Sequence, residues 1–253
     1  MKKLYLYVYP LFTVLACFPL KSFASGKPYY PGKPHIKKII GKNNLEPIEN
    51  IAGSEDYNLA RAIARVELGD GYCTGFRIGE SLVMTNHHCL SSCSKMKVRF
   101  YYEKGIAPSD HILADCEKIE AKNKDLDFAI LRVGGLDSLE ADSIPVLPLD
   151  ARPPLKNQVL LLAGHPAARP KEVDRSVECK IRLAMKNTDI FITHGCDTES
   201  GNSGSPVLDP FHRSVIAIHW GCREFNHGTW MKPILWYLRK NHSQLLSELS
   251  FIE

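Results

Sequence analysis

Three short strings in this chain carry side chains that could act together as a nucleophilic catalyst. Gly201-Asn202-Ser203-Gly204-Ser205-Pro206 sets a serine among glycines, where the backbone can turn tightly and leave the hydroxyl exposed. Backbone N–H groups in such a turn can converge on a developing oxyanion. A serine hydroxyl is a weak nucleophile at neutral pH; it needs a base, and the base needs a third group to orient it. Thr85-Asn86-His87-His88-Cys89 supplies two imidazoles, and Asp125-Leu126-Asp127-Phe128-Ala129-Ile130-Leu131 supplies an acid at the mouth of an apolar run. An acid so placed can be half-buried and accept an imidazole N–H. Each string alone is ordinary, since Gly/Ser loops and surface histidines abound. His87, His88 and Cys89 also include zinc-ligating types, but adjacent residues rarely point at one ion and no paired motif follows. No metal and no cofactor are expected.

The elements that must position these residues are short. Apolar runs at 62–68, 81–85, 97–102, 128–133, 159–163, 189–193 and 214–220 hold four to eight residues, many of them β-branched, between Gly, Pro, Asn or Asp. These are strand signals, and their number predicts an all-β sandwich or barrel. One segment, 233–249, has apolar residues at helical spacing and opens on Pro233 near its first turn, which predicts a C-terminal helix. The Pro-rich stretch 144–154 divides the strands into two groups of similar size.

The 253 residues, 44% hydrophobic and 24% charged, suit a globular chain with two small domains or one large all-β unit. The formal charge is +4, but residues 1–38 hold seven lysines and no acid, so the remainder is net acidic. A nucleic-acid binder keeps its basic excess on the folded part, so no nucleic-acid partner is expected. Lys2 and Lys3 before the apolar stretch 4–20, with Ser22-Phe23-Ala24 ahead of Ser25, read as a secretory signal peptide over 1–24. An uncleaved anchor is disfavoured because the run is short for a span and contains Pro10 and Pro19; lipidation at Cys17 is disfavoured by the bulky Leu15. Residues 25–38 have the Pro, Gly and Lys composition of a linker or propeptide. Export to an oxidising compartment favours disulfides, and no stable membrane association is expected. Seven cysteines remain after the signal peptide, an odd number.

In the order His, Asp, Ser, the three strings resemble the motifs of the chymotrypsin-like serine peptidases. Thr85 to Cys89 is similar to that family's Thr-Ala-Ala-His-Cys, which selects His88 rather than His87. Asp127-Phe128-Ala129-Ile130-Leu131 resembles Asp-Ile-Ala-Leu-Leu. Gly201 to Pro206 resembles Gly-Asp-Ser-Gly-Gly-Pro, with Asn202 and Ser205 as departures, and Cys73-Thr74-Gly75 falls where the family has Cys-Gly-Gly. Gly-Asn-Ser-Gly-Ser-Pro followed by Ile218-His219-Trp220-Gly221 is similar to the bacterial glutamyl endopeptidases, as is Ile40-Gly41-Lys42-Asn43-Asn44-Leu45-Glu46-Pro47-Ile48 to the mature start of several of them.

The resemblance implies two six-stranded antiparallel β-barrels, over 39–150 and 151–253, with the site in the cleft between them. It implies Ser203 as nucleophile, His88 as base, Asp127 as the orienting acid, and the N–H groups of Gly201 and Ser203 as the oxyanion hole. The substrates would be proteins or peptides, and the protein an exported, monomeric endopeptidase; the alternative is a catalytically silent or narrow-target binding or toxin-type module on the same fold. A Cys73–Cys89 bridge is implied by the resemblance, with Cys179–Cys196 and Cys93–Cys116 expected beside it, Cys222 left over, and Cys196–Cys222 as the rival pairing. Maturation is expected between Lys38 and Ile39 or one residue later. For P1, the residue before the cut bond, Asp197 matches the acid of a trypsin pocket and favours Arg or Lys. Thr198 and His219 match positions that bind a substrate carboxylate in glutamyl endopeptidases and favour Glu or Asp.

Overall fold

The computed structural model describes residues 39–136, 143–183, 189–222 and 225–252. The expected signal peptide and the 25–38 linker lie outside the described residues. The architecture is all-β with few helices. Its first half is a closed barrel of six antiparallel strands: β2 (Ile63–Glu67), β3 (Tyr72–Arg77), β4 (Leu82–Thr85), β5 (Lys97–Phe100), β6 (Ile112–Asn123) and β7 (Phe128–Gly134), ordered β2-β3-β4-β7-β6-β5. It follows a two-residue strand β1 (Glu46–Pro47) and a short helix α1 (Glu55–Ala60), whose N-cap Ser54 accepts the Tyr57 N–H. That cap satisfies one of the donors the first helical turn leaves open.

The second half, expected as another six-stranded barrel, is a nine-stranded sheet. It contains β8 (Leu149–Asp150), β9 (Leu161–Gly164), β10 (Glu172–Asp174), β11 (Phe191–His194), β12 (Pro206–Asp209), β13 (Ser214–Cys222), β14 (Asn226–Trp230) and β15 (Phe251–Ile252), joined by β1. The main path runs β1-β10-β9-β12-β13-β14-β11, and β8 pairs in parallel with both β13 and β15. The strand β1 therefore precedes the barrel in sequence but pairs with β10, Glu46 opposite Val173.

The C-terminal helix α2 spans Met231–Asn241, so it starts two residues before Pro233 and ends well short of 249. Pro233 sits in the first turn, where a missing N–H costs nothing. Met231, Ile234, Leu235 and Leu238 form its buried face. They join a core in which barrel residues Ile63, Phe76, Phe128 and Ile130 are contiguous with Leu161, Val173 and Ile218 of the sheet. A second core fills the barrel around Val66, Val83, Val98 and Leu131, and a third lies behind the sheet around Leu162, Ile192 and Trp230. The shared core fixes the two halves against each other, and the cleft residues come from both.

Candidate active site

The histidine string leaves the end of β4. Residues His87–Cys89 make a single 3-10 turn, and Cys89 is bonded to Cys73 of β3. Asp127 stands at the entry to β7, which pairs with β4 so that Thr85 faces Ala129. Register thus brings the two strings together. The His88 N–H donates to Asp127 Oδ1 at 3.0 Å, and His88 Nδ1 lies 2.7 Å from Asp127 Oδ2. Asn86 Nδ2 donates to the Asp127 carbonyl at 2.7 Å. Asp127 adopts φ +48°, a left-handed conformation that an aspartate tolerates better than most residues. With the carboxylate on Nδ1–H, the lone pair of His88 resides on Nε2 and can accept a proton. His87 makes no such contact; its pKa is lowered by burial, which outweighs the pull of Asp127.

The serine string is tied down at nearly every peptide. Ser200 C=O accepts from Ala167 N–H at 2.5 Å, Asn202 C=O from Ser205 N–H at 2.9 Å, and Ser203 C=O from Thr74 N–H at 2.8 Å. Gly201 C=O accepts the Thr74 hydroxyl at 2.8 Å. Among the described residues, the N–H groups of Asn202, Gly204 and Ser205 have acceptors (Glu199, His219 and Asn202 carbonyls), whereas those of Gly201 and Ser203 have none. Two uncommitted N–H groups on one tight loop can serve as an oxyanion hole. Gly204, at φ +87°, packs so closely on the Thr74 carbonyl and Thr85 Oγ1 that a Cβ there would collide with both. Behind Gly201 runs the 165–169 loop, where Ala167 and Ala168 hold φ +50° and +62°. Asn202, which stands where the resembling family has an acid, is buried with both side-chain polar atoms unpartnered among the described residues, as is Ser205 Oγ.

The three residues before this loop are each held from a different direction. Asp197 is fully buried, and its carboxylate is directed to the N-terminal segment rather than to an open pocket. Ile40 N–H donates to Oδ1 at 2.7 Å, while the Asn44 N–H and Nδ2 donate to Oδ2 at 2.8 and 3.1 Å. Thr198 Oγ1 donates to Asn226 Oδ1 at 3.0 Å, and Asn226 Nδ2 donates to the Cys196 carbonyl at 2.6 Å. Glu199 pairs with Arg169, at 3.2 and 3.3 Å. His219 on β13 is buried beside His194 of β11, Nδ1 to Nε2 3.2 Å apart. Burial pushes the His219 pKa down to about 3 and that of His194 well below its ordinary value. Both imidazoles are therefore neutral at neutral pH. His194, Asn226, Arg169 and Thr74 were not singled out as functional by the sequence. Only Thr74 carried a signal, as a departure from Cys-Gly-Gly.

Cys73–Cys89, Cys93–Cys116 and Cys179–Cys196 are the three disulfides, and Cys222 belongs to none of them. The rival Cys196–Cys222 bridge is not formed. Cys73, His88 and Cys89 cluster tightly enough to suggest a metal site, but the two sulfurs are bonded to each other, and neither offers a thiolate. No described helix is long and apolar enough to cross a membrane.

A closed six-stranded barrel beside a second sheet is the architecture of the chymotrypsin-like peptidases, and here the Ser203 carbonyl lies 2.8 Å from the Thr74 nitrogen and 3.9 Å from Cys89 Sγ, so the serine loop packs against the histidine turn. Residues 73–218 match the family of trypsin-like peptidase domains, and the chain belongs to that family. A Glu endopeptidase solved in complex with MPD superposes with a TM-score of 0.62 at 18% identity, over 82% of this chain and all of that one. Neuropsin, a serine protease of mouse brain, superposes with a TM-score of 0.59 at 17% identity, over 72% of this chain and 95% of its own. A secreted RxLR effector protein of Plasmopara viticola is 26% identical over 221 residues, 72% of this chain. The chain spans about half the length of that relative.

Proposed function

We propose that the protein is an exported serine endopeptidase in which Ser203 attacks the scissile carbonyl, His88 takes its proton, and Asp127 fixes the imidazole. The observation that carries this reading is the double contact of Asp127 with the His88 ring and N–H, on a turn whose Cys89 Sγ lies 3.9 Å from the Ser203 carbonyl. The acyl-enzyme would form as the Ser203 Oγ–carbon bond closes and the amine leaves with the proton from His88; water then reverses the sequence. The expected signal peptide and the three disulfides support export.

An acidic P1 preference is the second part of the proposal. The charge of Asp197 would repel an acidic P1, but its carboxylate is turned to the N-terminal segment, where three N–H donors from residues 40 and 44 satisfy both oxygens. A P1 carboxylate would approach His219, and Thr198 once its hydroxyl turned from Asn226. Charge-assisted hydrogen bonds of this kind contribute about 1.5–3 kcal/mol. The same contact favours maturation near Lys38, because a chain cut after Lys38 or Ile39 would place its new ammonium at or beside Ile40. Lys37→Gln/Lys38→Gln protein should then stay uncut and inactive; full activity in that variant removes the zymogen part.

A serine-reactive phosphonate should label Ser203 in the wild type and fail in His88→Ala. An unlabelled but folded wild type would instead indicate a silent binding module. Chromogenic peptides differing only at P1 should be cut faster after Glu than after Arg. Faster cleavage after Arg, abolished by Asp197→Ser, would reverse the assignment.

A further inference from the structure

We propose that the hydroxyl of Thr74 is a positioning group for the oxyanion hole, so that a first-barrel side chain fixes the spacing of the two donors of the second half. The inference rests on the serine-peptidase reading above.

Thr74 lies on β3, is fully buried, and has every polar atom committed. Its N–H donates to the Ser203 carbonyl at 2.8 Å, and its carbonyl accepts the Thr85 hydroxyl at 2.7 Å. Its own hydroxyl accepts the His165 N–H at 3.1 Å and donates to the Gly201 carbonyl at 2.8 Å. A hydroxyl can do both at once, so this single oxygen joins the 165–169 loop to the serine loop. A glycine at this position, as in the Cys-Gly-Gly pattern, could supply the two backbone bonds but not the side-chain pair.

The location of that pair gives it a role in catalysis. Gly201 has no Cβ and sits at φ +99°, so its own backbone preferences hold the direction of its N–H weakly. The N–H itself lies in the peptide plane before Gly201, which is pinned by Ala167 N–H on the Ser200 carbonyl. The plane after Gly201 is the link to the plane that carries the Ser203 N–H, and it is pinned at both ends, by the Thr74 hydroxyl on the Gly201 carbonyl and by the Asn202 N–H on the Glu199 carbonyl at 3.1 Å. Loss of the hydroxyl leaves that link held at one end only, so the two donors lose their fixed spacing around the oxyanion. Oxyanion donors act only when aimed in advance at the developing charge. The cost of a misaimed donor therefore falls on the transition state and leaves ground-state binding alone.

Thr74 also contacts the other half of the site. It follows Cys73, whose partner Cys89 adjoins His88, and it receives Thr85, three residues before His88. One residue thus references the serine loop and the histidine turn to the same strand. Gly164 leaves room for this arrangement: a Cβ there would meet Ser205 Oγ, Asn202 Oδ1 and Thr74 Oγ1.

Thr74→Val keeps the shape, removes the hydroxyl, and leaves the His165 N–H and Gly201 carbonyl without their partner. Its kcat should fall about 10–100-fold, short of the loss of a whole donor, with KM changed little. Thr74→Ser should restore kcat to within about threefold, since the hydroxyl returns without the methyl. A peptide aldehyde, which forms the tetrahedral adduct, should lose affinity in step with kcat/KM; the matching peptide alcohol, which cannot, should not. Should Thr74→Val fail to fold, Thr74→Ala supplies the same comparison with no overpacking, and amide hydrogen exchange over 200–205 reads the loosening without activity. Wild-type turnover with Thr74→Val or Thr74→Ala equal to it overturns this inference and leaves the peptidase reading intact. Equal weakening of aldehyde and alcohol, or a Thr74→Ser variant as poor as Thr74→Val, also overturns it.

Discussion

Asp127 holds His88 through both of its oxygens, one on the ring and one on the backbone N–H. An amide in its place could keep the backbone bond but would turn an N–H toward Nδ1, or leave the ring free to choose the other tautomer. Asp127→Asn should therefore lose about 10⁴-fold in kcat with nearly unchanged folding stability. The assay is hydrolysis of the preferred peptide beside thermal melting; a loss under about tenfold would mean that another group orients the imidazole. These residues were legible in the sequence because each sits in a short string whose neighbours identify it. Asp197 was not legible in the same way. Its position, six residues before Ser203, suggested a pocket acid, yet the partners that fix its direction lie 153 and 157 residues away. No local pattern encodes a contact that long, and the same holds for the His194–His219 pair.

At the scale of elements, strands with a buried run such as β4 and the start of β13 were legible from apolar, β-branched composition. The twelve-residue β6 was not. It carries Asp115, Glu117, Lys118, Glu120 and Lys122, and its register shifts twice against β7, between Cys116 and Lys118 and between Ile119 and Ala121. Each bulge resets which face a residue occupies, so the alternation that identifies a strand is lost. The segment 40–48 resembles a mature start, and its docking is the larger finding. Its far end adds β1 to the second sheet, and its near end supplies Asp197 with three donors. Asp197→Ala strips the acceptor from this segment. It should speed limited tryptic cutting after the already exposed Lys42 and lower kcat/KM by about tenfold or more whatever residue occupies P1, since hydrogen bonds to a buried charge contribute about 1.5–3 kcal/mol each. A loss confined to Arg-P1 peptides, with Lys42 cut no faster than in the wild type, would make Asp197 a pocket determinant instead.

The two halves that the Pro-rich stretch suggested are joined more intimately than that stretch implied. Their common core crosses the divide, and fully buried Lys171 of the second half meets Glu103 at 2.9 Å and the Ala60 carbonyl at 2.9 Å. Burial at this depth also governs how the molecule answers to acid. His165, His194 and His219 are fully buried, and in each burial is the main force lowering the pKa. His165 faces Lys171 and Arg65, and the other two face each other and His227, so neighbouring charge adds to the effect. Half-buried His87 and His111 move in the same direction. In the unfolded chain each imidazole takes a proton at about pH 6.5, while in the folded protein it does so only at lower pH. Below that pH the unfolded state binds more protons, so stability is full above about pH 6.5 and falls as pH drops, by up to about 1.4 kcal/mol per pH unit for each group. The shifted carboxylates pull both ways. Burial and then the charge of Asp197 bear on Asp174 and raise it, so it opposes the trend; Glu67 and Asp150 are lowered against burial by Arg99 and Arg65 and by Arg152, and so reinforce it below about pH 4. Between those limits the five histidines set the trend, with Asp174 as the opposing carboxylate. Urea unfolding should therefore show a steep loss of stability from about pH 6.5 to about pH 4.5, and His165→Phe should flatten the slope by close to one proton. A curve flat across that window, or a slope untouched by the substitution, would mean that these imidazoles reach water and titrate in the folded state.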